Sequence, residues 1–107
     1  MTSNPFVIRA AAKRDLVRHF AWLEAQADTD VAERYLAAAE AIFAKLAETP
    51  GLGPIVNSRR IELTNLRKWR VDGFSSQLIF YIPTPSGVRI VRVLHAAQDW
   101  VTLLDAD

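Results

Sequence analysis

Hydrophobic and polar residues change their period twice along this chain. A short β-type run, Phe6 to Ile8 in "PFVIRA", opens it. The stretch "AAAKRDLVRHFAWLEAQA" then switches to helical spacing, with Leu16, Phe20, Leu23 and Ala27 at i, i+4, i+7 and i+11 and with Lys13, Arg14 and Arg18 mostly off that stripe. "DTD" interrupts the pattern, and Asp30 followed by Glu33 reads as a capping box with Asp in the Ser/Thr place. Val31, Tyr35, Ala38, Ile42 and Leu46 form the stripe of a second, alanine-rich helix. "TPGLGP" ends it, because Pro50 cannot continue a helix and a following glycine can take positive φ. Two helices joined by a few polar residues predict an antiparallel helical hairpin.

The second half has the composition of strands. "RRIEL" and "RKWRV" are two candidates, or one strand interrupted near Thr64–Asn65. "QLIFYI" and "VRIVRVLH" flank the five-residue turn signal "PTPSG", which predicts a β-hairpin. Strict alternation along the last strand puts Arg89, Val91, Val93 and His95 on one face and Ile90, Arg92 and Leu94 on the other. Trp100, Leu103 and Leu104 in "WVTLLDAD" have helical spacing and predict a docked tail, as a last helical turn or an edge segment. The expected fold is α+β: an N-terminal β-strand, an α-helical hairpin on one face of a small, mainly antiparallel β-sheet, and a short C-terminal tail. Its other sheet face would be open and lined by arginines.

Composition narrows the class. The 107 residues suit a single domain spanning 1–107, half of them hydrophobic. The absence of cysteine excludes disulfides, thiolate metal sites and cysteine nucleophiles. Neither a signal-peptide pattern nor an apolar run of membrane-spanning length is present, so the expectation is a cytoplasmic protein with no membrane partner. The net charge of +1 hides an asymmetry. Between Glu24 and Glu48 six acids (Glu24, Asp28, Asp30, Glu33, Glu40 and Glu48) stand against Arg34 and Lys45 alone, whereas Arg59, Arg60, Arg67, Lys68 and Arg70 oppose only Glu62. Separated charge of this kind predicts a polar partner surface.

The wording of several stretches resembles the ParE branch of the RelE/ParE toxin superfamily: "AKRDLVRHFAWL", "VAERYLAAAEAIFAKLAETPGLGP", "LRKWRVDGF", "LIFYI" and "RVLHAAQDW". The resemblance spans nearly the whole chain, and the specific signal is the combination of these pieces. It implies a RelE/ParE-like fold and the toxin half of a toxin–antitoxin pair, of the kind linked to plasmid stabilisation. It further implies a ParD-like antitoxin partner. Members of the ParE branch are associated with poisoning DNA gyrase, and RelE-branch relatives cleave messenger RNA on the ribosome. Fold likeness does not choose between these, so the residues must.

RNA cleavage needs a base, an acid and cations for the phosphorane. Glu62, Arg70, Arg92 and His95 are the set that could supply them, with Arg70, Arg89 and Arg92 expected to approach one another on neighbouring strands. The C-terminal tyrosine typical of RelE-type enzymes is missing; Trp100 stands in that region. The favoured reading therefore assigns no catalytic residue, no cofactor and no metal, since His19 and His95 with Asp99 do not close a coordination sphere. His95 is read as structural, tying the last strand to the tail through a hydrogen bond, with Asp99 as the candidate partner. The basic segment with Trp69 is read as a protein-recognition surface first and a direct nucleic-acid contact second. Candidates for target binding are Arg59, Arg60, Arg67, Trp69, Arg70 and Arg92. For antitoxin binding they are Trp22, Phe43, Arg60 and Arg70. A toxin fold that keeps only antitoxin binding is the third alternative.

Overall fold

The computed structural model describes residues 5–58 and 60–106. β1 (Phe6–Ile8) leads into α1 (Ala10–Gln26) and α2 (Thr29–Glu48). A long connection with a 3₁₀ turn at Ile61–Leu63 follows. The chain ends with β2 (Arg67–Val71), β3 (Phe74–Thr84), β4 (Gly87–His95) and α3 (Trp100–Ala106). The four strands form one mixed sheet in the order β1-β4-β3-β2. β2, β3 and β4 run antiparallel, while β1 lies parallel to β4, with Phe6, Val7 and Ile8 opposite Val88, Arg89 and Ile90.

The helical hairpin covers one sheet face, as its stripes predict. Leu16 and Leu23 from α1, and Tyr35, Ile42 and Leu46 from α2, bury against Val71, Ile79, Tyr81, Ile90 and Val93. Phe43 joins them with no exposed surface, because helical drift brings it between Ala39 and Leu46 on the buried side of α2. It packs its ring 5.6 Å from that of Phe6. The N-cap of α2 is Asp28, two residues before the expected Asp30; its carboxylate accepts from the Val31 N–H at 2.9 Å.

The opposite sheet face is not the open arginine-lined surface that the hydrophobic pattern suggests. Phe80, Val91 and Leu94 make a second core there with Val56, Leu63, Leu66 and Leu104. Leu63 and Leu66 explain why "RRIEL" is not a strand. A 3₁₀ turn, followed by Asn65 at φ 71°, brings both leucines inward from consecutive turns. The tail docks as a helix, with the Trp100 ring 5.4 Å from Phe80. The β3–β4 hairpin is also tighter than expected: Pro83 and Thr84 pair with Val88 and Gly87, leaving a two-residue turn at Pro85–Ser86.

A register shift corrects the reading of β4. Phe80 faces Arg92 while Tyr81 faces Ile90, so Val91 is the extra residue of a bulge. Strict alternation breaks there. Ile90 and Val93 both reach the helix side, and Val91 and Leu94 the other.

The "TPGLGP" loop is fastened to the sheet from both sides. The Tyr81 hydroxyl donates to the Pro50 carbonyl at 2.9 Å and accepts from the Gly53 N–H at 2.8 Å. Arg67 donates to the carbonyls of Gly51 at 3.2 Å and Gly53 at 2.6 Å. Burial pushes the Tyr81 phenol upward from its ordinary value, against the lowering effects of the Gly53 hydrogen bond and the Arg67 charge. A Cβ at Gly53 would overlap the Lys68 carbonyl oxygen, whereas one at Gly51 meets open space. Gly53→Ala is therefore expected to lower the urea midpoint and Gly51→Ala to leave it nearly unchanged. Tyr81→Phe removes both bonds of the hydroxyl and should cost about 1–3 kcal/mol in the same denaturation experiment.

Candidate functional site

Beyond Ile90, β4 has run past the end of β1, and α1 takes over that edge. The Asp15 carboxylate accepts from the Val93 N–H at 3.0 Å, where a strand would otherwise pair. The same carboxylate receives the Arg92 guanidinium through two bonds, 2.7 Å from Nε and 2.9 Å from Nη2. Both side chains are about nine-tenths buried or more. Arg92 also donates to the Leu103 carbonyl at 3.4 Å. One arginine thus links α1, β4 and α3.

One helical turn beyond Asp15, α1 forms the wall of a cleft whose other wall is the end of β3 and β4. Arg18, His19, Trp22 and Leu23 face Phe74, Gln77, Val93 and His95 around a volume of about 470 Å³. Trp22 is 55% exposed and stacks on His19 with ring centroids 5.5 Å apart. The His19 ring meets the Tyr35 ring edge-on at 4.7 Å. The Tyr35 hydroxyl donates to Gln77 Oε1 at 3.2 Å, deep in the floor. Burial, with the Asp15 carboxylate nearby, pushes the Tyr35 phenol far above its usual range. Burial and the neighbouring His95 lower the His19 pKa from its ordinary 6.5.

His95 itself is exposed. Its Nδ1 accepts from the Ala97 N–H at 2.9 Å, its backbone N–H donates to Gln98 Oε1 at 2.7 Å, and its carbonyl accepts from the Gln98 N–H at 3.0 Å. These bonds close the strand and turn the chain toward α3. Asp99 is not its partner. That carboxylate starts α3, accepting from the Thr102 hydroxyl at 2.7 Å and from the Thr102 N–H at 3.3 Å, which lowers its pKa.

The remaining candidates are dispersed. Arg70 is exposed on the edge strand β2, with its guanidinium 5.9 Å from the Trp69 ring, and Lys45 approaches the same ring at 5.8 Å. Arg92, expected at a target surface or in a cationic catalytic cluster, is instead buried on Asp15. β3 lies between β2 and β4, so Arg70 and Arg92 stand two strands apart, roughly 10 Å in the sheet. Arg89 faces Ile82, farther along β4. Phe43 is core, so it offers no surface to an antitoxin. Arg60 donates to the Leu104 carbonyl at 3.2 Å, and Arg67 is committed to the glycine loop. Arg59 and the side chain of Glu62 lie outside the described residues. Trp22 and His95 are the candidates that line the cleft. Among the described residues no group of three or more His, Cys, Asp or Glu could hold a metal ion, and no helix is long and apolar enough to cross a membrane.

Asp15 and Gln77 carry no sequence motif that singles them out. The available signal for Asp15 is its charge one position before Leu16 on the buried stripe. For His19 it is its neighbour Phe20 on that stripe.

The comparisons with known proteins agree with this architecture. The family model described as "ParE toxin of type II toxin-antitoxin system, parDE" matches residues 6–100. A solved structure titled "Chromosomal ParDE TA system from P. aeruginosa" superposes with a TM-score of 0.68 at 13% identity, covering 89% of this chain and 96% of that one. Among curated protein sequences none matches.

Asp15→Ala strands a buried guanidinium and the Val93 N–H, and should cost about 3–5 kcal/mol in equilibrium denaturation. The lowered His19 pKa means that the unfolded chain binds more protons than the folded one below about pH 6.5. His19 therefore adds a stability loss as pH falls through that window and none above it. His19→Phe should flatten that part of the stability–pH curve, measured by thermal melts from pH 5 to 8.

Proposed function

Because the chain belongs to the ParE toxin family of type II toxin–antitoxin systems, we propose that it inhibits DNA gyrase by protein–protein contact and is held inactive by a ParD-like antitoxin. In this reading it acts in the cytoplasm, without cofactor or metal, and makes no bond-breaking step of its own. The observation that carries the non-enzymatic part is the fate of Arg92. A ribonuclease site built from Glu62, Arg70, Arg92 and His95 needs a free cation near the reacting phosphate, and this guanidinium is spent on Asp15. His95 Nδ1 is engaged by the Ala97 N–H, which restrains the imidazole from shuttling a proton at that atom.

The surface best suited to an acidic patch on a target is the β2 edge. Arg70 there is exposed, and Trp69 is half-buried beneath the cations of Arg70 and Lys45. Arg60 and Arg67, tied by hydrogen bonds to backbone carbonyls, shape the adjoining surface. Arg70 is also a candidate for antitoxin contact. One residue serving both partners gives a plain route to neutralisation, in which the antitoxin covers the cation that the target would meet.

Two assays on the purified chain test this. One follows gyrase supercoiling and cleavage-complex accumulation, the other messenger RNA cutting on translating ribosomes. Gyrase inhibition with intact RNA is the expected result, and RNA cutting with unaffected gyrase would overturn it. Arg70→Glu is expected to reduce gyrase inhibition at least about tenfold, the scale of one reversed interfacial charge, while leaving the melting temperature within a few degrees of the parent.

A further inference from the structure

The cleft between α1 and the ends of β3 and β4 has an apolar side and a polar side. Its apolar side is Trp22, Leu23, Phe74 and Val93. Its polar side is rich in donors. Arg18 is exposed at the rim, and because His95 Nδ1 already accepts from Ala97, the neutral ring carries its proton on Nε2. Gln77, 3% exposed, has committed its Oε1 to Tyr35, which leaves its NH₂ as a donor. Asp15 is the one acid among the lining residues, and it is fully engaged by Arg92 and the Val93 N–H. The cleft therefore presents cation and N–H groups without a competing free carboxylate.

We infer that this cleft seats an acidic segment of the partner protein, with an apolar side chain against Trp22, Leu23 and Phe74 and a neighbouring carboxylate held by Arg18 and the His95 Nε2–H. The inference rests on the antitoxin reading above and takes the antitoxin as that partner. Charge complementarity favours this occupant, and the exposed Trp22 stacked on His19 supplies the rigid aromatic anchor that interfaces favour.

Occupancy carries a proton with it. The titratable and charged groups around His19 are Asp15 and Arg18 on its own helix, Tyr35 on α2 and His95 on β4. Asp15 is already paired with Arg92, and burial together with the neighbouring His95 disfavours the charged imidazole in the free protein. A carboxylate arriving in the cleft favours it. His19 is the imidazole that burial disfavours charging in the free protein, so it is the group whose charging occupancy promotes. Binding then strengthens as pH falls.

The test is calorimetric titration of the intact chain with its cognate ParD-type antitoxin at pH 6 and pH 8, for the parent, Arg18→Glu, Trp22→Ser and His19→Phe. The parent should bind about three- to tenfold tighter at pH 6, the range expected for uptake of up to one proton by a histidine. His19→Phe should lose that difference, with His19→Gln as the second variant if the phenyl ring disturbs Tyr35. Arg18→Glu should weaken binding at least about tenfold, with an unchanged melting curve because the residue is exposed. Full affinity in both Arg18→Glu and Trp22→Ser would overturn the cleft assignment while leaving the antitoxin reading standing. A pH difference that survives both His19 variants would overturn the proton linkage. Failure of the folded parent to bind at either pH would overturn the antitoxin reading itself.

Discussion

The Asp15 carboxylate answers three donors that would otherwise be stranded in the interior: Nε and Nη2 of Arg92 and the N–H of Val93. Such a pair adds little over well-packed apolar residues, yet breaking it is costly because one charge is left alone in a poor solvent for charge. Its main effect here is positional. β4, like β3, contributes to both cores, and Arg92 joins α1 on one side of it to the Leu103 carbonyl of α3 on the other. The bulge at Val91 is what lets Arg92 leave the strict alternation of the strand and serve both sides.

The position of α1 decides the shape of the cleft. Arg18, His19 and Trp22 follow Asp15 within two turns of one helix, so anchoring Asp15 to the β4 edge sets where they stand against Phe74, Gln77 and His95. The loop after α2 is handled in a comparable way at the other side of the sheet, where Tyr81 and Arg67 gather its carbonyls and the Gly53 N–H. The cleft and the β2 edge, the surfaces proposed for partners, are thus mounted on parts held by specific polar contacts.

Much of this was legible in the sequence. Element order, both helices, the hairpin of β3 and β4 and the family resemblance follow from period and wording. The rest was hidden for physical reasons. A bulge moves later residues to the other face without any residue type announcing it, and it undid the alternation read through Ile90 and Arg92. The left-handed Asn65 turned "RRIEL" out of a strand so that Leu63 and Leu66 could bury. Asp28 and Asp30 are equivalent as caps until the chain direction before the helix is known. The partner of Arg92 lies 77 residues away in sequence, and no local pattern links two such positions. Arginine counts alone therefore drew a binding surface where the structure has an internal tie, and a stripe that omitted Phe43 left a core ring among the candidates for antitoxin binding.

The parallel pairing of β1 with β4 has a consequence for how the chain is made. The strand that leaves the ribosome first is bonded to the strand of the sheet that leaves last. Gly87, whose missing Cβ leaves room for the Pro5 carbonyl, belongs to that late strand. During synthesis the helical hairpin can form early from local contacts, but its apolar stripes must wait for Ile79, Tyr81, Ile90 and Val93. A nascent chain stopped before β4 has neither the Arg92 tie nor a complete cleft. The cleft is complete only once β4 has been made, and a message interrupted before it yields a fragment without one.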